Sequence, residues 1–107
     1  MANNYKNAKV DLTSTDITAL YTAPSSTTTI VKSILVSEDS GNADTITLTL
    51  TNSASAVFSL FKVKAVSANA TVELLTGPLV VEESEILKVT AATANRLHVT
   101  ASILEIS

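Results

Sequence analysis

Only one histidine, His98, is available for acid–base chemistry, so neither a two-histidine metal site nor a linked pair of histidine acid and base can be built. His98 shares a strand face with Thr100 and Ser102, which supplies the inventory of a Ser-His-Asp arrangement. No Gly-x-Ser-x-Gly elbow frames any of the serines, however. His98 is therefore read as a hydrogen-bonded surface or interface histidine. The chain has no cysteine, which removes thiol nucleophiles, thiolate metal sites and disulfides together. Carboxylates gather at Glu38-Asp39 with Asp44 and at Glu82-Glu83 with Glu85. Hard cations favour such oxygens, but neither spacing matches an EF-hand loop, and both groups read as solvated turn charges. Glu73 and Glu105 fall inside strands, where a charge guards an exposed edge against wrong pairing. Glu105, between Leu104 and Ile106, is also placed for a salt bridge across an interface.

Other binding chemistries are equally thin. Gly41 and Gly77 stand alone, so no glycine-rich phosphate loop exists. Tyr5, Tyr21, Phe58 and Phe61 are separated and there is no Trp, which leaves no stacking platform for bases or sugars; the two phenylalanines read as core residues. Asn69-Ala70-Thr71 has the form of a glycosylation acceptor, which matters only in a eukaryotic secreted chain. The net charge is −3 and the seven Lys and Arg are scattered singly, so no nucleic-acid partner is expected. No apolar run approaches the ~20 residues of a membrane span, and Met1 to Asn7 lacks a signal-peptide core. The expectation is a non-enzymatic chain with no catalytic residue, cofactor or metal, made in the cytosol and held there until assembly.

The elements that carry these residues are strands. Thr45 to Thr51 alternates strictly, with Ile46, Leu48 and Leu50 on one face and threonines on the other. Thr28 to Val36 is a longer β-branched run, and Glu38-Asp39-Ser40-Gly41-Asn42 is a turn cluster that predicts a hairpin between the two. Val57 to Val66 predicts a strand with Val57, Phe61, Val63 and Ala65 on one side and Phe58, Leu60, Lys62 and Lys64 on the other. Thr71 to Thr76 follows, and Gly77-Pro78 stops pairing because proline has no amide hydrogen. Leu79-Val80-Val81 and Ile86 to Thr90 come next. Arg96 to Ile106 turns Leu97, Val99, Ala101 and Ile103 one way, while Leu104 and Ile106 make its end apolar on both sides. Upstream, Tyr5 to Thr13 alternates through Ala8, Val10 and Leu12. Asp16 to Ala23 is read as a strand, although Ile17, Leu20 and Tyr21 also fit one helical turn capped by Ser14-Thr15-Asp16.

About eight short strands with almost no helix signal predict an all-β fold, an antiparallel β-sandwich of jelly-roll type. At 107 residues the chain has room for one core and buries about two-thirds of its unfolded surface. Residues 1–9 form an N-terminal arm or first strand, and residues 10–107 a single β-sandwich domain. A 46% hydrophobic fraction beside 16% charged residues suggests apolar surface turned to a partner, since free-standing domains carry about a quarter charged residues. Tyr5, Val10, Leu12, Leu104 and Ile106 are the candidate interface residues.

Three segments of the first half carry a resemblance: Leu20-Tyr21-Thr22-Ala23-Pro24, Thr29-Ile30-Val31-Lys32-Ser33-Ile34, and Gly41-Asn42-Ala43-Asp44-Thr45-Ile46-Thr47-Leu48. With Gly77-Pro78-Leu79-Val80-Val81-Glu82, Ile86-Leu87-Lys88-Val89, Ala94-Asn95 and Leu97 to Glu105, the pattern resembles small β-sandwich virion proteins of tailed bacteriophages over Ile17 to Ser107. The chain departs from it at Ser25-Ser26, where glycine is usual, and at Glu83-Ser84-Glu85, where a Gly-Asp turn is typical. The resemblance implies a virion structural protein, foremost a capsid decoration or cement protein. Its partners would be the major capsid protein or other virion proteins, with homo-oligomerisation, a trimer favoured. A tail, neck or fibre component is the alternative, and a host-surface adhesion or carbohydrate-binding module a more distant one.

Overall fold

A computed structural model describes residues 2–107, and they form nine strands. These are β1 (Asn3–Asp11), β2 (Thr18–Thr22), β3 (Thr28–Glu38), β4 (Asp44–Thr51), β5 (Val57–Val66), β6 (Thr71–Glu73), β7 (Leu79–Val81), β8 (Ile86–Ala91) and β9 (Leu97–Ile106). One sheet runs β1-β9-β3 with both β6 and β7 on the far edge of β3; the other runs β2-β8-β4-β5. Every pairing is antiparallel.

Nesting explains the order. The chain doubles back at β4–β5, after which β6 and β7 lie along β3, β8 along β2 and β9 along β1. That long hairpin then rolls up, so that β9 meets β3 and β8 meets β4. This is jelly-roll connectivity, the double sheet expected from the strand pattern. The strand along β3 is broken around Gly77-Pro78 into β6 and β7, as the proline predicts. β1 ladders without interruption to β9 from Asn3↔Ile106 to Asp11↔His98, so residues 3–9, read as an arm or a first strand, lie in the first strand; Met1 lies outside the described residues. Asp16 to Ala23 holds β2 and no helical turn.

The core forms where the two alternating faces meet. Val31, Ile34 and Val36 of β3 and Leu97, Val99 and Ala101 of β9 face Ile46 and Leu48 of β4 and Leu87 and Val89 of β8, all completely buried. Each of the valines, leucines and isoleucines among them contributes about 1.5–3 kcal/mol by leaving water.

Three expectations are corrected. First, β3 and β4 are not a hairpin but lie in different sheets. Glu38 is the cause: it is buried, and its carboxylate accepts the backbone N–H of Ser40, Gly41 and Asn42, and that of Asn69 from a second loop. The side chain thus wraps the chain around itself and carries it across the sandwich. Second, Asp44 and Glu38 are not solvated turn charges: Asp44 is buried too, accepting the N–H of Thr93 at 3.1 Å. Third, the faces of β5 do not alternate as expected. The register slips on both sides of Leu48, so Phe61 lies opposite Leu48 and Phe58 opposite Leu50 on the same side. At this outer edge no further strand covers them, and Phe58 is exposed rather than in the core.

Two turns place a serine in the left-handed region. Ser26 and Ser84 take φ of 55° and 66°, the left-handed region that glycine enters at no steric cost. The two turns hold each other: Ser26 N–H donates to Glu83 Oε2 at 2.7 Å, and Ser84 N–H donates to the carbonyl of Ala23 at 3.0 Å.

Candidate functional site

The solvent face of the five-stranded sheet follows directly from alternation. With Leu97, Val99, Ala101 and Ile103 turned inward, period-two geometry turns His98, Thr100, Ser102, Leu104 and Ile106 outward. Leu104 lies opposite Tyr5 on β1 and opposite Ile30 on β3, and Ile30 lies opposite Val80 on β7. Cross-strand partners share a face, so Tyr5, Leu104, Ile30 and Val80 form an apolar row across four strands. Ile106 adjoins it, opposite Asn3 and Thr28. Tyr5 is 73% and Val80 52% exposed, whereas Leu104 is covered by its neighbours to 9%.

One cation belongs to this patch. The β3–β9 register slips between Val31 and Ser33, and Lys32 at the slip places its Nζ 5.4 Å from the centre of the Tyr5 ring, within cation–π range. Beside Lys32, an open groove of ≈520 Å³ runs between Ile30 and the Leu75-Thr76-Gly77-Pro78 break. Glu73 closes the backbone that this break leaves open: its carboxylate accepts from the Ser33 hydroxyl, from Ile34 N–H at 2.8 Å and from Leu75 N–H at 3.2 Å. Burial raises the Glu73 pKa, but these three donors outweigh it and leave it below the usual carboxylate range.

The candidate interface residues divide along this surface. Tyr5, Leu104 and Ile106 come together on the outer face. Val10 pairs with Val99 on the inner face and is half-buried, and Leu12 is 1% exposed within the core. Leu12 is therefore not available to a partner, because the chain curls over it and its N–H bonds the carbonyl of Leu97 at 3.0 Å. Ile30, Val80 and Lys32 were missed. The signal was present in Val80, the outward member of Leu79-Val80-Val81, but only strand order brings it to Tyr5.

Polar side chains that looked free in the sequence are engaged within the chain. Glu105 lies on the inner face at the end of the sandwich, where Tyr21 reaches from the opposite sheet to donate to Oε2 at 2.5 Å and Lys6 donates to Oε1 at 3.1 Å. The Tyr21 hydrogen bond is the main reason the Glu105 carboxyl sits below its ordinary value, with Lys6 adding to it against the cost of burial. Burial, and then the same bond to Glu105, push the Tyr21 hydroxyl up to about 12. The Glu105 salt bridge thus closes inside the subunit. At the other end, His98 Nε2 is 3.1 Å from Asp11 and Nδ1 is 3.4 Å from Asp39; each ring nitrogen faces a carboxylate, and Ser102 and Thr100 are not its partners. Among the described residues, no three His, Cys, Asp or Glu side chains converge as metal ligands.

No family model and no curated protein matches the chain. Among solved structures, the chain is similar to one in the structure of infectious bursal disease virus Gt strain, at a TM-score of 0.48 and 8% identity, covering 98% of this chain and 30% of that one. The chain spans less than a third of that neighbour's length, and a likeness at that level says nothing of function.

Proposed function

We propose that this chain is a structural protein of a tailed-phage particle, a decoration or cement subunit that binds the capsid shell through the outer face of its five-stranded sheet. One observation carries the reading: the unbroken apolar row Tyr5–Leu104–Ile30–Val80 on a face open to solvent. Scattered exposed apolar residues are ordinary on a protein surface, whereas a contiguous patch marks a contact site. The sequence resemblance to virion proteins, much of it in the strands that build this face, points the same way. Such a role needs contact area and no chemistry. Lys32 and the groove beside Pro78 would add a charged anchor and a recess to an otherwise flat interface.

Binding to particles that lack the protein, imaged by cryo-electron microscopy, tests this. The wild-type chain is expected to occupy repeated lattice positions, and the double variant Tyr5→Ser/Val80→Ser to lose that occupancy while keeping its thermal melt. Undiminished occupancy by the variant would remove the outer face from the interface. Density at the unique vertex alone would make the protein a tail or neck component.

A further inference from the structure

Five strands lie at sheet edges, and four of them are protected against pairing. β6 and β7 have three residues each. β2 has five and a register slip between Ala19 and Tyr21. β5 is long but slips twice, carries Lys62 and Lys64, and bends at Val63. Short length, bulges and lysines are the devices by which sheets blunt their edges. β1 also carries two lysines, Lys6 and Lys9, but it differs in length and regularity: nine residues without a slip from Asn3 to Asp11, paired on one side only.

The hydrogen-bond phase shows which groups are on offer. Ala2 exchanges both backbone bonds with Ser107, and Leu12 N–H bonds Leu97. In an antiparallel ladder the bonded pairs alternate, so Asn4, Lys6, Ala8 and Val10 turn their amides to β9, and Asn3, Tyr5, Asn7, Lys9 and Asp11 turn theirs to the free edge. Only Asp11 has its carbonyl engaged there, by Thr13 N–H at 3.0 Å.

We infer that the partner of this edge is β1 of a second copy, paired antiparallel about a two-fold axis at Asn7, so that the sheet runs on through both subunits. The strand's own sequence selects this register. Centring on Asn7 pairs Asn3–Asp11 from end to end, with Tyr5 opposite Lys9 of the second copy and Lys6 opposite Ala8. Centring on Lys6 or Lys9 would set identical lysines face to face, which destabilises. The pairs Tyr5–Lys9, Asn7–Asn7 and Lys9–Tyr5 each exchange two backbone bonds. Lys9 of the second copy then lies beside the Tyr5 ring that Lys32 already approaches. The assembly is a dimer, not the trimer expected from the resemblance, and it sets two copies of the apolar row on one face. The pairing does not depend on the particle-binding role, and it is tested without particles.

The test is the mass of the full chain in solution. Wild type is expected at twice 11.2 kDa. Asn7→Pro removes an amide aimed at the free edge and leaves the β9 ladder intact, so it is expected to be monomeric with a near-wild-type melt. Asn7→Cys introduces a single thiol into a cysteine-free chain, and mild oxidation is expected to give a covalent dimer. The Cα separation of a bonded antiparallel pair, about 5.5 Å, suits a disulfide. Ser53→Cys, on the exposed β4–β5 turn, should give no covalent dimer under the same oxidation. A monomeric or trimeric wild type, or a dimer that survives Asn7→Pro, overturns the inference. If Asn7→Pro fails to fold, the Asn7→Cys cross-link decides, and its absence is fatal.

Discussion

Tyr21→Phe deletes a single oxygen and tests whether the two sheets are joined by chemistry as well as by packing. That oxygen donates to Glu105 at 2.5 Å and lies 2.7 Å from the Thr29 hydroxyl. The ring itself stays, so no cavity forms. A hydrogen bond to a charged acceptor is worth about 1.5–3 kcal/mol; because Tyr21 is only part-buried and Lys6 still serves Glu105, the lower end applies, about 1–2 kcal/mol. For a domain of this size that lowers Tm by roughly 4–10 °C. The sign with pH follows from linkage. The folded Glu105 carboxyl lies below its unfolded value, so its stabilisation is present above the unfolded pKa and disappears as pH falls through the folded one. Urea unfolding of wild type and Tyr21→Phe at neutral pH and again well below pH 4 should therefore show a gap that narrows in acid. Equal midpoints at neutral pH, or a gap independent of pH, would refute the link between this bond and stability.

Two further outcomes concern the loops and the β5 edge. The donors around Glu38, chiefly the Ser40 hydroxyl and the N–H of Asn69, outweigh burial and hold its pKa at about 2. Glu38→Gln should lower Tm at neutral pH, and the loss should shrink as pH falls from the ordinary carboxylate range towards 2; a thermal-melt series across pH checks both. Val63 is β-branched yet has φ of 54° on an exposed strand. Because that conformation costs an L-residue roughly 1–2 kcal/mol and Asn tolerates it better, Val63→Asn should raise stability by about 1 kcal/mol in urea titration, and a lower midpoint would count against strain there.

Fold class was legible because alternation in Thr45–Thr51 and Leu97–Ile103 is a local property, and local properties survive into the sheet. Pairing was not. The turn cluster Glu38 to Asn42 looks like a hairpin loop in sequence, and only the convergence of Asn69 on the Glu38 carboxylate, from 31 residues away, shows that it changes sheets instead. Phe58 and Phe61 were assigned opposite faces by counting, and the slips around Leu48 undo that count. Of the outer patch, Tyr5, Leu104 and Ile106 were recognisable as apolar residues beyond what the core needed. Ile30 and Val80 were hidden, because each sits in a run that alternation alone explains, and nothing local says that β7 lies two strands away from β9.

The nested topology also bears on how the protein is made. β9 sits between β1 and β3, yet it is the last of the nine strands to leave a ribosome. Until it emerges, β1 has no neighbour and β3 shows one naked side, so the five-stranded sheet cannot close before β9 is made. The four-stranded sheet needs no residue of β9, and its β4–β5 hairpin can form earliest. The sheet that β9 joins closes late, through contacts between residues far apart in sequence, and the concentration of the unclosed chain sets its exposure to misassembly.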